Sequence, residues 1–133
     1  MKRLFVCCVT LLLLSALSAQ EKSEAEQLVQ EQLDAYNKRD IEAFLKPYAD
    51  SVVVYFFPNQ FLYKGKEKMR QEYTPMFANT PDLYCTIKNR IVLGNRVIDE
   101  ESVAFDKNRP PLRAAAIYTI AQGKIVSVHF ISQ

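Results

Sequence analysis

The stretch Tyr84-Cys85-Thr86-Ile87-Lys88-Asn89-Arg90-Ile91-Val92-Leu93-Gly94-Asn95-Arg96-Val97-Ile98-Asp99-Glu100-Glu101-Ser102-Val103-Ala104-Phe105 holds two runs rich in β-branched residues around a Gly-Asn pair. Glycine reaches positive φ without a Cβ clash, so Gly94-Asn95 reads as a two-residue hairpin turn between strands 84–93 and 96–105. The turn sets a register in which Leu93 faces Arg96, Val92 faces Val97, Arg90 faces Asp99 and Lys88 faces Glu101. One face then carries Lys88, Arg90, Asp99 and Glu101 beside Val92, Val97 and Val103. The other carries Ile87, Ile91 and Ile98 with Asn89 and Glu100. Taken by itself, a strand face with opposed charges reads as a solvated surface, because ion pairs are usually exposed.

Downstream, residues 112–120 and 125–131 flank a turn with Gly123 and form a second hairpin. Upstream, Ser23-Glu24-Ala25-Glu26 is a capping box, and Ala25, Leu28, Val29, Leu33 and Tyr36 recur at helical spacing. Asn37-Lys38-Arg39 breaks that stripe, and Asp40 caps a short second helix with Ile41, Phe44 and Leu45, stopped at Pro47. Residues 52–57 read as a strand ended by Pro58, and Phe61-Leu62-Tyr63 as a short return strand. Gly65 opens a third helix carrying Met69, Tyr73, Met76 and Phe77, with Pro75 disturbing its last turn. Helices first and long antiparallel strands last give an α+β class, with helices against one face of a sheet.

The chain has 133 residues, 49% hydrophobic and 24% charged, with a net charge of +2. This length suits one domain. Lys2 and Arg3 precede an apolar run, Leu4 to Leu17, that ends in small residues, the pattern of a secretory signal peptide over residues 1–19. The alternative is a retained membrane anchor, although the run is short of the roughly 20 apolar residues a span needs. Cleavage after Ala19 or Ser18 removes both excess charges and leaves a neutral domain, 20–133, expected to be secreted or periplasmic. Such a domain lacks the electrostatic footprint for nucleic acid or anionic membrane, and holds no stable membrane anchor once the leader is gone. Cys7 and Cys8 leave with the leader, so Cys85 remains without an internal disulfide partner.

His129 is the single histidine, and strand alternation places it on one face with Ile125, Ser127 and Ile131. A nucleophilic pair could only be Cys85 with His129, and packing is the better reading for Cys85. One His, one Cys and scattered carboxylates show no metal-ligand spacing, and no glycine loop or nucleophile elbow is present. No metal and no cofactor is therefore expected. Seven tyrosines and eight phenylalanines suggest an aromatic interior.

Residues 35–44 (Ala-Tyr-Asn-Lys-Arg-Asp-Ile-Glu-Ala-Phe), then Tyr48-Ala49-Asp50-Ser51-Val52-Val53-Val54-Tyr55, resemble the opening of the nuclear transport factor 2-like superfamily, in its SnoaL-like and steroid Δ-isomerase-like branch. Gly65, Met69-Arg70, Tyr73, Asn89-Arg90-Ile91-Val92, Gly94-Asn95, Glu101 and Gly123-Lys124-Ile125 continue the resemblance over residues 24–131. It implies a cone: a curved antiparallel sheet wrapped around the N-terminal helices, enclosing an apolar pocket, with homodimers through the outer sheet face. The isomerases' base falls in Tyr55-Phe56-Phe57-Pro58 and is missing. Their acidic donor aligns with Ala116 and their first-helix phenol falls near Gln32, while a supporting tyrosine matches Tyr73. Proton abstraction beside a ketone by that set is therefore not expected. The resemblance also turns Arg90, Asp99 and Glu101 inward, as a partly buried pair that either braces the hairpin or faces a ligand.

Three functions fit these residues. The favoured one is an exported binding protein for a small apolar or amphipathic molecule, with Tyr36, Tyr55, Phe56, Tyr73, Phe77 and Tyr118 as the cavity and Arg90 or Glu101 orienting the ligand's polar end. The second is a lyase, isomerase or cyclase with Glu101 or Asp99 as base, Tyr73 or His129 as acid and Arg90 stabilising an oxyanion, which requires these groups to converge on one cavity. The third is a dimerisation or protein-interaction module, with a closed cavity and an apolar outer sheet face.

Overall fold

The computed structural model describes residues 20–133, so the signal-peptide reading of residues 1–19 lies outside the described part. Helix α1 (Glu24–Lys38) starts where the Ser23 hydroxyl accepts the Glu26 amide at 3.2 Å. It buries Ala25, Val29, Gln32, Leu33 and Ala35, and ends at Arg39, whose φ of 54° is left-handed. Asp40 caps α2 (Ile41–Leu45) by accepting the Ala43 amide at 3.1 Å. Strands β1 (Tyr48–Phe56) and β2 (Gln60–Lys64) follow, then α3 (Lys66–Asn79), which runs on past Pro75. The last four elements are β3 (Tyr84–Leu93), β4 (Arg96–Ala104), β5 (Leu112–Ala121) and β6 (Lys124–Ser132).

The six strands form one open sheet in the order β2-β1-β6-β5-β4-β3. Every neighbouring pair is antiparallel except β1 and β6, which run parallel. The all-antiparallel expectation is corrected at that pair, since no hairpin joins β1 to β6 and no turn dictates their relative direction. The helices cover one face, α1 against β3, β4 and β6, and α3 against β1 and β2. Between them lies the core, with Val29, Phe44, Leu45, Val52, Val54, Met69, Leu83, Val97, Ile125 and Val128 fully buried.

The hairpin register follows the Gly94-Asn95 turn as far as Asn89, with Arg90 opposite Asp99. It then departs from expectation. A bulge between Ile87 and Asn89 sets Ile87, not Lys88, opposite Glu101. The extra residue leaves Lys88 exposed and Ile87 packed on the core, where strict alternation would bury an ammonium. The face beside the helices therefore presents Val97, Asp99, Glu101 and Val103, all buried, so the solvated-surface reading of this face is also corrected. A second irregularity, between Thr119 and Ile120, leaves Val126 unpaired and separates Ile125 from the face of His129. On the outer face, Phe61, Tyr55, His129, Ile117, Ile98 and Ile91 are successive register partners in one row across all six strands.

Candidate functional site

The helices and the inner sheet face enclose a cavity of about 270 Å³. Its walls are aromatic, with Tyr36 from α1, Phe44 from α2, Tyr48 and Phe56 from β1, Tyr73 from α3 and Tyr118 from β5. Phe105, Leu112 and Ile131 line it as well and are 44%, 37% and 39% exposed, so the mouth lies among them. At the buried end a relay of hydrogen bonds crosses four elements. The Tyr48 hydroxyl donates to Gln32 Oε1 at 3.2 Å, and Gln32 Nε2 donates to the Tyr118 oxygen at 3.1 Å. The Tyr118 hydroxyl in turn donates to Glu101 Oε1 at 3.4 Å.

Among the described residues Glu101 is the one carboxyl of the lining, and only 7% of it is exposed. Burial pushes its pKa up to about 7, with the charge of Asp99 adding to the rise and the Tyr118 hydrogen bond and Arg90 opposing it. Burial also raises the phenols of Tyr48, Tyr73 and Tyr118 well above their ordinary value, so all three stay neutral. The Cys85 thiol is pushed up to about 12, first by burial and then by Glu101 and Asp99, which removes thiolate chemistry at neutral pH.

Asp99, fully buried, holds Arg90 through two hydrogen bonds, from Nε at 2.6 Å and Nη2 at 2.7 Å. Arg90 Nη1 also donates to Gln30 of α1 at 2.8 Å. The pair thus ties the hairpin to the first helix and stands outside the cavity lining. Among the described residues, no group of three or more His, Cys, Asp or Glu side chains can hold a metal ion.

The model of the SnoaL-like domain matches residues 29–128. The chain belongs to the SnoaL-like family. Solved structures agree on the fold. An uncharacterised cystatin-fold protein from Novosphingobium aromaticivorans superposes with a TM-score of 0.73 at 23% identity, over 84% of this chain and 99% of that one. A nuclear transport factor 2-like protein of unknown function from Cytophaga hutchinsonii gives 0.70 at 18%, over 86% and 94%. A protein from Kribbella flavida named as a candidate ketosteroid isomerase gives 0.67 at 16%, over 83% and 78%. No curated protein matches the chain.

In this SnoaL-like domain the cavity gathers Tyr36, Phe56, Tyr73, Glu101 and Tyr118 from the expected set. Phe77 stands behind the wall, its ring 5.5 Å from that of Tyr36. Tyr55 and His129 are corrections. Both sit on the outer face, their rings stacked 4.6 Å apart, because β1 alternates inward at Val54 and Phe56 and β6 at Val128 and Phe130. Arg90 and His129 therefore do not join Glu101 at the cavity, and a Cys85–His129 pair is excluded by the sheet between them. Ala116, where the isomerases' acidic donor aligns, is buried opposite Asp99. Gln32, Tyr48 and Phe44 line the site without having been singled out as site residues. Gln32 alone left a legible signal, a polar residue inside the stripe of Val29, Leu33 and Tyr36.

Proposed function

We propose that this SnoaL-like domain binds a small apolar or amphipathic molecule in its cavity, with Glu101 meeting the ligand's polar end. One observation carries the reading: a carboxyl more than nine-tenths buried in an aromatic cavity accepts a single hydrogen bond among the described residues, from Tyr118. Its second oxygen opens onto the cavity with no hydrogen bond among the described residues, where a bound molecule supplies one. Thermal melting with a panel of hydrophobic ring compounds tests it. A ligand at about 100 times its Kd adds about 2.7 kcal/mol, several degrees in Tm. Ala114→Phe, which fills the cavity opposite Glu101, removes that shift. A panel with no shift at all overturns the reading.

The acid–base reading ranks second. Glu101, titrating near 7, can take and return a proton at neutral pH, and Tyr118 and Tyr73 stand in the same cavity. Its other members, Arg90, Asp99 and His129, are elsewhere. Two further properties belong to the proposal. The leader-like segment supports export, read by whether the protein recovered outside the cytoplasm begins at residue 19 or 20. The apolar row on the outer face supports a homodimer, with a second copy of the chain covering it.

A further inference from the structure

The charge balance of the cavity narrows the class of its ligand. Among the described residues, Glu101 is the one lining side chain that changes charge near neutral pH, and no Lys, Arg or His lines the cavity. The charged groups facing Glu101 are Asp99 on its own strand and Arg90 on β3. The other titratable neighbours are Tyr36 of α1, Tyr48 of β1, Tyr73 of α3, Tyr118 of β5 and Cys85 of β3. Arg90 is committed, with two donors on Asp99 and a third on Gln30.

Glu101 Oε1 accepts from Tyr118, and its second oxygen has no hydrogen bond among the described residues. No buried side-chain oxygen there is sealed away without a partner, so this oxygen opens onto the cavity. The same cavity is lined by the rings of Tyr36, Phe44, Tyr48, Tyr73 and Tyr118, and aromatic faces attract cations and not anions. A carboxylate with an open oxygen, aromatic walls and no competing cation form a receptacle for positive charge.

We propose that the molecule bound in this cavity carries a protonated amine on a small ring body, its ammonium paired with Glu101 and its ring packed on the aromatic walls. The inference rests on the binding reading above and names its ligand class. No covalent step is involved. The ammonium enters charged and binds the carboxylate, and the proton held by Glu101 leaves to solvent.

Isothermal titration of the protein with three probes of one shape, 2-phenylethylamine, 2-phenylethanol and phenylacetate, tests it. The amine is expected to bind at least tenfold tighter than the alcohol at pH 8, with phenylacetate weakest. Because Glu101 titrates near 7, the amine's Kd tightens about tenfold from pH 6 to pH 8 while the alcohol's does not. Titration in two buffers of different ionisation enthalpy reads close to one proton released per amine bound at pH 6. Glu101→Gln erases the amine preference, whereas Glu100→Gln, on the outer face, retains it. If Glu101→Gln fails to fold, the wild-type pH series and proton count decide the matter. An alcohol bound as tightly as the amine, with no proton released, overturns the ammonium and leaves the binding reading standing. Phenylacetate binding tightest does the same. Amine, alcohol and acid all failing to bind, together with a silent ring-compound panel, overturns both.

Discussion

Glu101 keeps its proton to about pH 7 in the folded chain, against an ordinary value of 4.5. Below about pH 4.5 the carboxyl is protonated in folded and unfolded chains alike, and its contribution to stability is fully present. That contribution is lost as pH rises through 7, because the folded chain gives up its proton less readily than the unfolded one. A shift of this size corresponds to about 3 kcal/mol. Glu101→Gln is therefore expected to flatten the fall in stability between pH 5 and pH 8, measured by urea melts at both pH values. An unchanged slope in the variant refutes the assignment. The sequence placed Glu101 on a strand face with Asp99 and Arg90, yet that face alone read as a solvated surface. Burial is a property of what covers the strand, and the first helix, which packs on β4, lies far upstream in the chain.

Near its start, the edge strand β3 is closed against the first helix by the side chain of Asn37. Asn37, in the last turn of α1, donates to the Cys85 carbonyl at 2.9 Å and accepts the Cys85 amide at 2.8 Å, pairing backbone groups that face away from β4. An edge left open invites a foreign strand, and this one is closed at Cys85 by the helix. Asn37→Ala is expected to cost about 1–3 kcal/mol and to speed amide exchange at Cys85 at least tenfold, read by denaturant melts and hydrogen exchange. Exchange as slow as in the wild type rules out the clamp. Element by element, what was legible was local: the Ser23 and Asp40 caps, and the Gly94-Asn95 turn with its register as far as Asn89. The bulge at Lys88 was not legible, since alternation carries on past it in the sequence. Only the cost of burying a lysine beside the core sends that residue outward.

Across the whole molecule the two faces of one sheet have separate duties. The inner face supplies the cavity, and the outer face carries the row from Phe61 through Tyr55, His129, Ile117 and Ile98 to Ile91. The homodimer proposal predicts the mass of two chains for the wild type by light scattering at tens of micromolar. Ile117→Glu, at the centre of the row, is expected to give the mass of one chain with an unchanged far-ultraviolet spectrum. A wild type with the mass of one chain removes the dimer from the proposal. Tyr55, expected in the cavity, and His129, expected as a catalytic candidate, lie on the outer face because strand alternation in a sequence carries no absolute sense of inside. The bulge in β6 then reversed the phase that Ile125 had suggested.

The composition of the cavity wall has an optical consequence. The chain has no tryptophan and seven tyrosines, and four of the seven, Tyr36, Tyr48, Tyr73 and Tyr118, line the cavity. With no tryptophan, the protein's intrinsic ultraviolet emission comes from tyrosine, and Tyr118 at the cavity wall is joined directly to the carboxyl that titrates. The charge on Glu101 is therefore expected to register in that emission, read by tyrosine fluorescence across pH 6 to pH 8, and the binding proposal predicts that an occupied cavity registers there too.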